Sequence, residues 1–206
     1  MKVKICGITN LDDALICEKE GADAIGFIFY RKSRRYILPK DAAEITKKLS
    51  PFTVKVGVFV NEKISVLSEI LEKTKINVVQ LHGDENENYC MQIKLPVIKS
   101  IRIKKGFDFD IITKYNNVNY LFDSFVENNY GGTGSSFNWE LIPMNLRNKI
   151  ILSGGISEKN IEYIFKNIFP SAVDLSSSLE SKPGKKDEWK VKSFFKKFNS
   201  LRLECL

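Results

Sequence analysis

The sequence predicts a single-domain α/β protein in which eight strand–helix units close into a barrel, and three observations lead there. Short β-rich runs alternate with amphipathic helical windows from one end of the chain to the other, the pattern of βα units laid around a parallel sheet. Eight such units are counted in 206 residues, with no long linker and no low-complexity tract between them. No GxGxxG follows the first strand, where an open dinucleotide-binding sheet would carry it. Together these favour a (β/α)₈ or TIM barrel over a doubly wound open sheet, with residues 1–206 forming one domain.

The strands are expected near Val3–Cys6, Ala24–Phe29, Val54–Val60, Asn77–His82, Val97–Ile101, Asn119–Asp123, Lys149–Ser153 and Ala172–Ser176. Between them the helical period recurs. Ile161, Ile164, Phe165 and Ile168 fall at i, i+3, i+4 and i+7, as do Val191, Phe194, Phe195 and Phe198, and both stripes are read as core faces. Asn10, Asn61 and Ser157 are expected to cap helix starts, because each can accept from an unpaired first-turn N–H. The tail after Phe198 reads as a frayed helix end.

Composition narrows the function classes. Apolar residues at 43% and charged residues at 28% suit an ordinary soluble globular domain, and no run approaches the ~20 apolar residues of a membrane span. A membrane partner is therefore not expected. The net charge of +7 is spread over lysines on the polar faces of helices, so nucleic acid is not expected either. It suits attraction of anionic substrates instead, together with a lysine- and asparagine-rich composition bias. The opening MKVKICGITN enters a strand at once without a signal peptide's apolar stretch, which predicts a cytoplasmic location. Cys6, Cys17, Cys90 and Cys205 show no CxxC pair, so no metal site and no disulfide framework is expected. In the absence of partner sequence a monomer is expected.

Side chains of a barrel strand alternate between interior and helix-facing sides. Lys4 and Cys6 share one side of the first strand, Gln80 and His82 one side of the fourth, Leu121 and Asp123 of the sixth, and Asp174 and Ser176 of the eighth. The reactive types thus fall on the inward parity near C-terminal strand ends, where barrel enzymes build their sites. Singly, each has an ordinary reading as a core thiol, a helix cap or a satisfied histidine; their convergence is what points to a site. The segments Ser153–Ser157 and Asp174–Ser178 follow strands seven and eight, where barrels often hold a phosphate on backbone N–H groups. Ser124–Phe137, with Tyr130-Gly131-Gly132-Thr133-Gly134, reads as a mobile loop over the site.

Ten segments in order carry a resemblance: KICGIT at Lys4–Thr9, GADAIGFIFY at Gly21–Tyr30, KSRRY at Lys32–Tyr36, GVFVN at Gly57–Asn61, QLHG at Gln80–Gly83, Phe122-Asp123, the YGGTG loop, LSGGI at Leu152–Ile156, VDLSSSLE from Val173, and PGKKD ending at Asp187. On these the chain resembles the phosphoribosylanthranilate isomerases, end to end. The resemblance implies an Amadori rearrangement in tryptophan biosynthesis without metal or organic cofactor. It places the general base on Cys6, the general acid on Asp123 and the arginine for the anthranilate carboxylate on Arg35. The phosphate loops fall on Gly155, Ser176 and Ser177. Beside what the resemblance implies, strand parity puts Gln80 and His82 at the rim as second-tier hydrogen-bonders and Asp174 on the inward face, all three as expected substrate-binding positions. Ser178 departs from the family's usual glycine, Asn138 from aspartate and Arg31 from proline.

A free thiol is mostly protonated at neutral pH, so a base at Cys6 calls for a helper. Strand one pairs with strand eight in a closed barrel, which predicts a buried Lys4–Asp174 ion pair, with Lys4 also favouring the thiolate.

Overall fold

The computed structural model describes residues 1–104, 106–115, 118–124 and 137–204. Eight parallel strands close into a barrel in sequence order, β1 (Lys2–Cys6), β2 (Ala24–Ile28), β3 (Val54–Phe59), β4 (Val78–Leu81), β5 (Val97–Ile103), β6 (Val118–Ser124), β7 (Ile150–Leu152) and β8 (Ala172–Leu175), with β8 returning to β1. The expected barrel is therefore observed, with strand limits shifted by a residue or two. Tyr130–Gly134 and Cys205, named above, lie outside the described residues.

The alternation of side chains separates two apolar sets. Val3, Ile5, Val79, Leu81 and Phe122 face the helices in the larger core, whereas Val56, Val58, Ile98 and Leu121 pack with Cys6 inside the barrel. Lys4 occupies the same interior parity as Cys6 and is the register partner of Asp174 across the β1–β8 seam. Its Nζ donates to Asp174 Oδ1 at 2.9 Å, and both side chains are buried, so the expected ion pair is present.

Helices α1 (Leu11–Glu20), α2 (Pro39–Lys48), α3 (Ile64–Lys73) and α4 (Glu87–Met91) follow the first four strands. Among the described residues, a 3₁₀ turn, Phe109–Lys114, follows β5, and a 3₁₀ turn, Trp139–Leu141, and α5 (Met144–Arg147) follow β6. Among the described residues, no helix longer than these short turns follows β5 or β6 before the next strand. After β7 comes α6 (Ile161–Tyr163), continued by one π turn to Ile168. A short antiparallel hairpin, β9 (Glu180–Lys182) and β10 (Lys185–Lys186), follows β8 and precedes α7 (Glu188–Leu203). Both apolar stripes face the core as expected: Ile161, Ile164, Phe165 and Ile168 are buried, as are Val191, Phe194, Phe195 and Phe198. Fully burying a side chain of this kind contributes roughly 1.5–3 kcal/mol, which accounts for the docking of the terminal helix.

Three local expectations are corrected. Asn10 does cap α1, accepting from Asp13 N–H, but Asn61 caps nothing: it adopts φ 49° and accepts from Asp84 N–H across the β3 and β4 loops. Ser157 is not a side-chain cap; Asn160 reaches back to accept from Ser157 N–H and to donate to Gly155 carbonyl. The chain after Phe198 does not fray at once, because α7 runs to Leu203 and buries Leu201. Local propensity marks a polar residue near a turn but does not say which N–H it meets. Among the described residues no helix is long and apolar enough to cross a membrane.

Candidate active site

At the C-terminal ends of the strands one cavity is lined by Cys6, Arg35, Gln80, His82, Asp123, Asp174 and Ser176. An adjoining cavity is lined by Gly155, Ser177 and Ser178 and shares Asp123, Asp174 and Ser176 with the first. All nine residues expected at the site therefore line these two adjoining cavities, drawn from the C-terminal ends of strands one, four, six and eight and from the loops after strands two, four, seven and eight.

Cys6 ends β1 beside Gly26, its register partner on β2. A Cβ at Gly26 would stand 2.9 Å from Cys6 Sγ, so the neighbouring strand gives up its side chain to make room for the thiol. Burial pushes the Cys6 pKa up; Lys4 and Lys186 pull it down while Asp174 adds to the rise, and the balance lies above the ordinary thiol value. Lys4 thus favours the thiolate, as expected, but burial outweighs it. Burial also acts against the charge of Lys4, yet the carboxylate of Asp174, and then Cys6, raise its pKa and keep the proton on nitrogen.

Asp123 is buried at the end of β6, where Oδ1 accepts from Ser124 N–H at 2.8 Å. Its other oxygen lies 3.3 Å from His82 Nε2. That contact is close but poorly aligned, and His82 Nε2 is left as a buried nitrogen with no hydrogen bond. Gln80 Nε2 lies 2.9 Å from His82 Nδ1 and donates to Ser100 Oγ at 3.2 Å. With Nδ1 accepting, the ring proton falls on Nε2, toward Asp123. Gln80 Oε1 also lacks a partner. Buried polar atoms rarely stay unpaired in a native protein, and both of these belong to residues that line the cavity.

Gly154 and Gly155 have φ of 88° and 68°. A Cβ on Gly154 would sit 3.0 Å from Asp123 Oδ1, so this glycine serves both the backbone turn and the room around the carboxylate. Ser178, placed where the resemblance would put glycine, has a buried Oγ without a hydrogen-bond partner.

Arg35 lines the cavity but is not free. Its Nε and Nη2 donate to Glu180 Oε1 and Oε2 at 2.8 and 2.7 Å, a side-on fork on the hairpin after β8. The sequence reading missed Glu180 and also Lys186, whose buried ammonium donates to the carbonyls of Cys6 and Ser176 and to Glu180 Oε1. Both residues stand in the SSSLE and PGKKD segments, which carried the resemblance without any role attached. It missed a second buried pair, Lys99 Nζ with Glu85 Oε2 at 2.7 Å, which ties the β3 and β4 loops through Asn61 N–H and Gly83 N–H.

A closed βα barrel whose rim gathers a thiol, carboxylates, an imidazole and a glycine–serine cradle defines an enzyme of proton transfer on a phosphorylated small molecule. The family model of N-(5'-phosphoribosyl)anthranilate (PRA) isomerase matches residues 3–197. A relative from Thermotoga neapolitana, named N-(5'-phosphoribosyl)anthranilate isomerase, is 44% identical, covering 98% of this chain and 100% of its own. A crystal structure of phosphoribosyl anthranilate isomerase in complex with reduced 1-(o-carboxyphenylamino)-1-deoxyribulose 5-phosphate superposes with a TM-score of 0.86 at 39% identity, covering 97% of this chain and 99% of that one. So does a structure described as mutually generated monomers of the dimeric enzyme from Thermotoga maritima, with a TM-score of 0.86, 38% identity and the same 97% and 99% coverage. The chain belongs to the phosphoribosylanthranilate isomerase family, the isomerases of tryptophan biosynthesis.

Proposed function

We propose that this site converts N-(5'-phosphoribosyl)anthranilate to 1-(2-carboxyphenylamino)-1-deoxyribulose 5-phosphate, with Asp123 as general acid and Cys6 as general base. The reading is carried by one observation: the thiol and the glycine–serine cradle line two adjoining cavities that share Asp123, Asp174 and Ser176. Asp123 protonates the ribose ring oxygen as its bond to C1′ breaks, leaving an imine. The imine acidifies the C2′ proton, which Cys6 removes, and the enolamine tautomerises to the ketone. The substrate phosphate lies against Gly155, Ser176 and Ser177, and its dianion suits a net-positive chain. Gln80 and His82 offer unpaired polar atoms to the sugar hydroxyls. The direct experiment is turnover of phosphoribosylanthranilate by the purified chain, followed by the change in anthranilate fluorescence. No turnover at saturating substrate would overturn the reading.

Arg35 holds Glu180 by its Nε–Nη2 edge, which leaves the Nη1–Nη2 edge for the anthranilate carboxylate. Hydrogen bonds to charged groups contribute about 1.5–3 kcal/mol. Arg35→Ala is accordingly expected to raise KM on the order of 10- to 100-fold, with Arg34→Ala, on the exposed side of the same turn, close to wild type. Steady-state kinetics of the two variants checks this, and equal effects would mean that the wrong arginine has been chosen.

For the assembly, one observation favours a dimer over the expected monomer. Phe52, in the loop before β3, is 93% exposed and stands at the edge of an apolar cavity of about 350 Å³ at the N-terminal end of the barrel, lined by Val54, Val78, Ile98 and Ile151. A two-fold pairing through this face lets each ring enter the cavity of the other copy. Light scattering is expected to give a dimer that Phe52→Glu converts to an active monomer, and a monomeric parent chain at micromolar concentration would exclude the pairing. The same chain reads as cytoplasmic, in keeping with the free thiols of Cys6, Cys17 and Cys90.

A further inference from the structure

We infer that Glu180 is a positioning residue for substrate recognition: held by Lys186, it orients the Arg35 guanidinium so that its remaining edge selects a ligand carrying an ortho-carboxylate on the ring. This rests on the reading of Arg35 given above and assigns the hairpin after β8 a part in specificity.

The geometry is that of a clamp. Glu180 meets Arg35 with both oxygens, and Oε1 is shared with Lys186 Nζ at 3.0 Å. Lys186 spends its three N–H groups on Glu180 and on the carbonyls of Cys6 and Ser176, at 2.8 and 3.2 Å. One buried ammonium therefore joins the end of the base's strand, the start of the phosphate loop and the partner of the arginine. The hairpin itself is tied down from the other side. Asp13 on α1 accepts from Lys186 N–H and Lys185 Nζ at 2.6 and 2.7 Å, and Lys190 Nζ donates to the carbonyl of Glu180 at 2.7 Å.

An arginine left alone on a loop would sample many rotamers, and ordering it on binding costs side-chain entropy. A side-on fork from Glu180 imposes that order before the ligand arrives and turns the end-on edge to a defined direction, as preorganised recognition requires. Burial acts against the Glu180 charge, but the Arg35 hydrogen bonds and the nearby Lys186 outweigh it and hold the carboxyl ionised, below the ordinary glutamate value. Two cations against one anion also leave the clamp with a net positive charge, which a substrate carboxylate neutralises.

The test compares two ligands, reduced 1-(2-carboxyphenylamino)-1-deoxyribulose 5-phosphate and its phenylamino counterpart without the carboxylate, by calorimetry on the full-length chain. The parent chain should prefer the carboxylated ligand by at least 10-fold. Glu180→Gln should erase most of that preference while the affinity for the phenylamino ligand stays within 2-fold. Glu180→Asp, which keeps the charge and withdraws the fork by one methylene, is the second variant and carries the same expectation. In the Arg35→Ala background, Glu180→Gln should change nothing further, since it acts through the arginine. Equal weakening of both ligands by the Glu180 variants would make the residue merely structural and overturn the inference. If Arg35→Ala itself spares the preference, the reading of Arg35 fails; if it erases the preference while both Glu180 variants keep it, only the inference fails.

Discussion

Asp123→Asn is expected to lower kcat by roughly 10²–10⁴-fold, the range of one positioned acid or base, with KM changing little. The amide keeps the size of the carboxyl and can still accept from Ser124 N–H at Oδ1, so the β6 end has no reason to move. What it cannot do is deliver a proton to a departing ring oxygen. An interaction made only in the transition state lowers kcat and kcat/KM together, which is the signature sought in steady-state kinetics. A loss below about 10-fold, under the lower limit for such a group, would move the acid's role elsewhere, with His82 at 3.3 Å as the first place to look.

Cys6→Ala should cost a similar roughly 10²–10⁴-fold in kcat, and its pH profile carries a second expectation. A base works in its deprotonated form. Because burial pushes the Cys6 pKa above its ordinary value of 9.0, the thiolate fraction at neutral pH is small and grows about tenfold per pH unit up to that pKa. The kcat/KM of the parent chain should therefore climb with pH through the neutral range and beyond 9, the same direction as alkylation of Cys6 by iodoacetamide. Lys4→Met removes the cation that favours the thiolate, so the variant should shift the alkylation profile to still higher pH. An unchanged profile would reduce Lys4 to a counter-charge for Asp174.

These expectations put the site on groups that the sequence could already indicate. Period-two alternation puts Cys6, Gln80, His82, Asp123, Asp174 and Ser176 on one parity, because a strand's pleat leaves a side chain only two directions. The Lys4–Asp174 pair followed from closure alone, since a barrel of eight strands must bring the first against the last. What the sequence could not show was contact across unrelated elements. The sequence reading gave Glu180, Lys186, Glu85 and Lys99 no role, yet all four are buried in ion pairs. No local pattern separates a solvated lysine from one that satisfies three buried acceptors.

The sequence by itself determined the barrel, the inward face and the family chemistry, because these follow from periodicity, strand count and motifs that are local in the chain. Only the tertiary structure decided how the arginine is held, since Arg35 and Glu180 stand 145 residues apart and meet through the fold. It also decided the state of the thiol. Whether Lys4, Lys186 or burial prevails at Cys6 depends on distances and on excluded water, and neither is written in the order of residues.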